Sequence, residues 1–348
     1  MLPIVSQMRS SLVCALIGVV VAGSVTAADL VTEQVRHKTV VTRYLNSLAG
    51  PDRTAVARQV LAPGYRQLRA EFANLEINAK GSQLEKVAQP LVQALADRST
   101  SIVRMIAEGD RVAVQYRIRG RHKANLYGIP ATGKEIDIDA GAIFKLADGR
   151  ITEGWFMADE AGLLSQLGVT LPARSDGLRP SAPAGDARPG DEVLAGLLAH
   201  PVDSQAYRNT LRVAAYKSGH PPAGLLPASG SPFAKISRHG FTHLAASGTE
   251  LGQGDKATPQ AFPTRVDKIE SLIAEGNLVA IQFQVTGTNT KTLYGLPPSN
   301  ASVAVYEFAI MTFEGDAWTD AWFLGDDLGM LQQLAGPPDF WFVSKKTP

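Results

Sequence analysis

The sequence predicts an α+β fold written twice, and three observations carry that prediction. Residues 126 to 130 read LYGIP and residues 293 to 297 read LYGLP, an offset of 293 − 126 = 167. The same offset joins Gly120 to Gly287, Trp155 to Trp322, Asp159 to Asp326 and Gln166-Leu167 to Gln333-Leu334, with no insertion between them. A register this constant is a duplication, and a period this long makes each copy a whole domain rather than a solenoid repeat. Within each copy, helical periodicity comes first and period-two alternation follows, without the alternating strand–helix units of a parallel α/β sheet. The 348 residues, 45% hydrophobic and 19% charged, are enough for two ordinary cores.

The N-terminus stands apart. MLPIVSQMRSS carries one cation, Arg9, ahead of the apolar run LVCALIGVVVAG and the small-residue stretch VTAAD. This is the pattern of a signal peptide over residues 1–27, cleaved after Ala27, and it predicts a periplasmic or secreted protein. The alternative, an uncleaved anchor, needs about 20 apolar residues, and this run is shorter. Cys14, the single cysteine, leaves with the signal, so the mature chain is expected to have no thiol, disulfide or thiolate metal site. Net charge is +1 with no basic tract, which predicts neither a nucleic-acid partner nor a membrane-surface partner after cleavage.

The first copy is expected over residues 28–170. A helix from Asp29 to Ser47 places Val35, Val40, Val41 and Leu45 near one face. A second short helix follows Gly50-Pro51 and stops at Pro63-Gly64, and a third spans Ser82 to Ala96 with Pro90 in its middle. Residues 102 to 122 then alternate as one strand, with Val112, Val114, Tyr116, Ile118, Gly120 and His122 on one face. KEIDIDAGAIFKL is the next strand, Asp148-Gly149 a hairpin turn, and RITEGWFMAD the strand after it. Residues 171–192, rich in Pro, Gly, Ser and Ala, read as a linker. The second copy, residues 193–340, keeps its sheet, but GQGDKATPQAFPTR replaces the third helix.

Period-two counting groups Ile151, Glu153, Trp155, Met157 and Asp159 on one face of the last strand, and Trp318, Asp320, Trp322, Leu324 and Asp326 in the second copy. Carboxylates among indoles and aliphatic groups lose hydration, and a carboxylate poised nearer neutrality can exchange protons. Asp159, Asp326 and His122 are therefore the candidate catalytic groups. The candidate ligand contacts are Tyr116, Tyr127, Glu153 and Trp155, with Phe283, Tyr294, Asp320 and Trp322 in the second copy. Each has a structural alternative: tryptophans build cores, an aspartate at a strand end caps a turn or helix, and a histidine can simply be hydrogen-bonded. The histidines show no metal-ligand spacing, so no metal is expected.

The stretch from Gly120 to Val169 resembles the C-terminal half of SnoaL-like polyketide cyclase domains, of the nuclear-transport-factor-2-like superfamily. The resemblance rests on Gly120, His122, Gly128-Ile129-Pro130, Gly133, Asp148-Gly149, Trp155, Asp159, Gly162 and Gln166-Leu167-Gly168. The second copy retains Gly287, Gly295-Leu296-Pro297, Trp322, Asp326, Gly329 and Gln333-Leu334, but has Asn289 in place of the histidine. It implies two cone-shaped domains, helices packed on a curved antiparallel sheet, each with a ligand cavity. It also implies acid/base ring closure without cofactor, the acid/base role falling on Asp159 and Asp326. A histidine after the family's second helix is absent from YRQL (Tyr65 to Leu68), while FTHL in the second copy places His243 near it. Two functional readings follow: an exported catalyst acting on a small apolar carbonyl compound, or a non-catalytic protein holding a small apolar ligand or a partner. Domains of this type pair through their sheets, so an internal pseudo-dimer or a homo-oligomer is expected.

Overall fold

The computed structural model describes residues 27–69, 89–126, 129–168, 186–238, 260–293 and 297–335; the predicted signal peptide and most of the linker lie outside them. The first unit opens with α1 (Ala27–Ser47) and α2 (Arg53–Val60). Helical spacing turns Val41, Tyr44, Leu45 and Leu48 of α1 into the core. Val35, grouped with that stripe by the sequence, is exposed. The chain continues as β1 (Leu61–Arg69), α3 (Gln89–Ala94), and then the antiparallel run β2 (Leu95–Glu108), β3 (Arg111–His122), β4 (Glu135–Ala147) and β5 (Arg150–Ala158). Helix α4 (Glu160–Leu167) closes the unit, ending on Gly168 in the left-handed region.

The second unit repeats the plan with α5 (Gly190–Ala199), α6 (Gln205–Tyr216), β7 (Phe233–Arg238), β8 (Val266–Glu275), β9 (Leu278–Thr288), β10 (Ser302–Glu314), β11 (Ala317–Gly325) and α7 (Asp327–Ala335). A short β6 (Arg188–Pro189) adds to the edge of β8. The sheet orders are β1-β5-β4-β3-β2 and β6-β8-β9-β10-β11-β7. The chain is α+β, as the helix-then-strand order predicts.

Four details of the sequence reading change. The single strand expected over 102–122 is the hairpin of β2 and β3, turning at Gly109-Asp110. Pro63-Gly64 does not end in a loop but lies inside β1, whose pairing with β5 is irregular there. That strand runs parallel to β5, as β7 does to β11, so neither sheet is wholly antiparallel. The expected linker ends early, because Arg188–Pro189 pairs with β8 and α5 starts at Gly190.

A further change concerns faces. Opposite β4, β5 carries one extra residue between Ile151 and Glu153, and β11 does the same between Trp318 and Asp320. A bulge of this kind shifts the side-chain alternation by one. Ile151, Phe156 and Ala158 therefore face the interior of their cone, while Trp155 and Met157 face outward. In the second unit Trp318, Ala321 and Phe323 face in, and Trp322 and Leu324 face out.

The two outward faces meet. Trp155, Met157 and Ile143 of the first unit and Trp322, Leu324 and Ile310 of the second form one buried cluster. Its centre is asymmetric. Gly141 and Phe308 occupy matching positions at the 167-residue offset, and a Cβ on Gly141 would overlap the Phe308 ring. Phe308 lies between the two tryptophans, its ring 6.1 Å from Trp155 and 6.0 Å from Trp322. At the rim the contacts are reciprocal. Ala107 N–H donates to Glu275 (2.8 Å) and Ala274 N–H to Glu108 (2.7 Å), so each residue meets its counterpart's neighbour as in an isologous dimer.

Candidate functional site

Each cone is built from one curled sheet closed by helices. In the first, β3 contributes Val114, Tyr116 and Ile118 and β5 contributes Phe156, all on the interior face. Phe144 packs edge-on against both Tyr44 and Phe156. Tyr116 and its counterpart Phe283 are fully buried cone residues.

Asp159 lies just past the end of β5, as the N-cap of α4. Its Oδ1 accepts from Gly162 N–H at 2.8 Å. Asp326 makes the same bond to Gly329 at 2.8 Å. A Cβ at Gly162 or Gly329 would overlap the aspartate's carboxylate, so the repeated D-x-x-G spacing is what lets the side chain fold back onto the amide.

His122 is fully buried at the end of β3. Thr132 N–H lies 3.2 Å from Nδ1 and Thr132 Oγ1 lies 3.0 Å from it. Accepting the amide proton leaves the ring proton on Nε2, which has no hydrogen-bond partner among the described residues. Burial pushes the imidazole below its ordinary pKa, and a hydrogen-bonding approach to the Ala124 backbone opposes the shift. His122 is thus a neutral donor. Asn289 takes its place in the second unit, accepting from Ser299 N–H (2.7 Å) and donating to the Lys291 carbonyl (2.8 Å). Both residues pin the loop that carries the repeated pentapeptide.

The second cone carries an ionic set of which the described residues of the first repeat only Arg98, the counterpart of Arg265 at the 167-residue offset. Lys217, at the end of α6, is buried with Nζ 3.1 Å from Asp267 and 3.6 Å from the centre of the Phe283 ring. Arg265 grips the same carboxylate through Nε (2.7 Å) and Nη2 (3.0 Å). Burial lowers the Lys217 pKa, with Asp267 and Glu307 acting against it. Burial pushes Asp267 up, but Lys217 and Arg265 outweigh it and hold the carboxyl below its usual range. The matching sheet positions in the first unit, for Asp267 and Glu307, are Thr100 and Ala140.

Trp155, Trp322, Glu153 and Asp320 are therefore not cone-lining groups, as the face count expected; the bulges turn them toward the other unit. Glu153 pairs with Arg66, and Asp320 takes Arg104 from the opposite unit at 3.1 Å. Tyr127, Tyr294 and His243 lie outside the described residues. Sequence reasoning missed Lys217, Asp267 and Glu307. Period-two counting from Ile269 and Val305 would have put Asp267 and Glu307 on the cone face, but nothing in a helix-terminal lysine announces its burial. Among the described residues no cluster of three or more His, Cys, Asp or Glu could hold a metal, and no helix is long and apolar enough to cross a membrane.

Two α+β cones, joined through their sheets and each closed by an Asp-capped helix, define the class. The profile of the SnoaL-like polyketide cyclase family matches residues 38–167 and 255–334, more than half of the chain, and the chain belongs to that family. The matched region leaves out α5 and α6 of the second unit. Among solved structures, the chain is similar to AclR from Streptomyces galilaeus (18% identity, 39% of this chain and 97% of that one, TM-score 0.34). It is also similar to TsrD from Streptomyces laurentii (22%, 39% and 98%, TM-score 0.34) and IdmH from Streptomyces antibioticus (22%, 38% and 99%, TM-score 0.33). A comparison with curated proteins returned no match.

Proposed function

We propose that the first cone is the working site, moving a proton on a small apolar carbonyl compound without a cofactor, and that the second cone is its structural partner. The supporting observation is the contrast at one position. His122 is buried, its Nδ1 accepts the Thr132 amide and burial pushes its imidazole below its ordinary pKa, whereas Asn289 at the same position carries no titratable ring and the ion pair of Lys217 and Asp267 is added to the second cone. A neutral imidazole N–H in an apolar chamber stabilises a developing enolate oxygen. The family-implied base is Asp159, whose Oδ1 is engaged by Gly162. We also place the protein outside the cytoplasm, on the strength of the signal-like first 27 residues; N-terminal sequencing of the mature protein checks that.

The test is deuterium incorporation next to the carbonyl of an aryl β-keto ester, followed by NMR in heavy water. Acceleration by the parent protein is expected, and His122→Asn should lower it by about a hundredfold or more, the cost of losing one oxyanion donor. Asp159→Ser keeps a capping oxygen, so lost exchange with unchanged melting assigns Asp159 a chemical role. Equal rates for parent and His122→Asn would refute the catalytic reading. A second reading, non-catalytic retention of a small apolar ligand, is favoured by the identical caps of Asp159 and Asp326, which account for both aspartates without any chemistry.

A further inference from the structure

The pseudo-symmetry of the two units exposes one place where it is broken. On β2, Arg104 reaches across the interface to Asp320, with Nη2 3.1 Å from Oδ2, and the hydroxyl of Ser237 donates to the same oxygen at 3.0 Å. At the 167-residue offset Arg104 corresponds to Ser271, and Asp320 to Glu153. The local backbones match as well: the irregularity between Ile102 and Arg104 on β2 recurs between Ile269 and Ser271 on β8. Where one half of the interface sends a guanidinium from this position to a carboxylate, the other has Ser271, which only accepts from Arg111 of the first unit. The Ser237 position is Leu68 in the parallel pairing, which offers Glu153 no hydroxyl.

A cleft of about 490 Å³ lies beside Ser271 between the units, within the range of small-molecule sites. Its walls include Trp155 and Ile143 on the apolar side, and Glu153, Glu270 and Ser271 on the polar side. Gln282 also lines it. That side chain is almost wholly buried, and its Nε2 has no hydrogen-bond partner among the described residues. Glu270 accepts from the Tyr306 hydroxyl at 2.7 Å, and burial raises its pKa, with Asp186 adding to the rise and Arg111 opposing it. Arg66, Arg111 and Lys145 stand around the same cleft, Arg66 paired with Glu153 and Arg111 donating to Ser271 at 2.8 Å.

We propose that this cleft between the units is a second binding site, distinct from the cones, for a small guanidinium compound of free-arginine type. The guanidinium would take the place that Arg104 fills in the sister half, between Glu153 and Glu270. The aliphatic stem would lie on Trp155, and a carboxylate at the far end would meet the cations at the rim. The molecule carries its own template for the occupant.

Isothermal titration of the full chain with L-arginine, agmatine and citrulline tests the assignment. Arginine should bind one per chain, and citrulline, its neutral isostere, at least about tenfold more weakly, because it forfeits the charge-assisted bonds. Agmatine, lacking the carboxylate, should fall between them. Ser271→Arg should supply the missing side chain, raise the melting temperature and abolish arginine binding. Glu270→Gln should weaken binding about tenfold and leave the fold intact, so it decides the matter if the arginine variant fails to fold. Equal binding of arginine and citrulline, no arginine binding at all, or unaltered binding by a folded Ser271→Arg protein or by Glu270→Gln would overturn the proposal. None of these residues belongs to the first cone, so failure here leaves the proton-transfer reading untouched.

Discussion

At His122, burial and a backbone donor act in the same direction. The Thr132 amide needs the Nδ1 lone pair, and an apolar surround disfavours the imidazolium. The folded-state pKa therefore lies below the ordinary value of about 6.5, so the unfolded chain takes up its proton first. The contribution of His122 to stability is whole above that ordinary value and is lost as pH falls through the lower, folded one. His122→Asn, which copies Asn289, should remove this part of the acid sensitivity. Urea midpoints of parent and variant should converge as pH drops from 8 towards 5, whereas a constant gap would mean the ring is not desolvated. Asp159 teaches the complementary lesson. The D-x-x-G spacing looks chemical from sequence, yet a cap bond alone accounts for the aspartate and the glycine together.

Between elements, the second cone is held by an ionic joint between α6, β8 and the residue just before β8. Lys217 and Arg265 share the single carboxylate of Asp267, Lys217 fully buried and the other two largely so. Removing one partner of a buried ion pair leaves uncompensated charge, which costs about 3–5 kcal/mol. Asp267→Asn should therefore lower the stability of the second unit by about that amount in denaturant unfolding, while Thr100→Ala at the matching position of β2 changes it by under about 1 kcal/mol. Similar small losses at both positions would show that solvent reaches the joint. The bulges in β5 and β11 act at this scale too. One extra residue in each strand sends an indole outward and a phenylalanine inward, and thereby decides which face becomes the cone and which the interface.

At the scale of the whole molecule, fusing the two copies permits a packing that a symmetric dimer could not use. Two identical chains would set phenylalanine against phenylalanine, or glycine against glycine, at the centre of the interface. The tandem chain sets Phe308 on Gly141 between Trp155 and Trp322. Phe308→Ala should cost about 3–5 kcal/mol through the cavity it leaves, and Gly141→Ala about 1–3 kcal/mol through overlap with the ring. Combined, they should cost less than the two losses added, since the alanine methyl enters space the ring has vacated; a double-mutant cycle with zero coupling would contradict the contact. The constant offset of 167 residues already determined that there are two copies and that Trp155 and Asp159 have counterparts, and local patterning that each copy is α+β and that Asp148-Gly149 turns a hairpin. These follow from local periodicity and self-comparison, which need no knowledge of distant contacts. The direction each side chain faces after β5 and β11 bulge, the burial of Lys217, the parallel strand across Pro63-Gly64, and the cleft beside Ser271 were decided only by tertiary structure. A one-residue bulge inverts a period-two count without altering composition, and a cleft between two sheets exists only once both have folded and met.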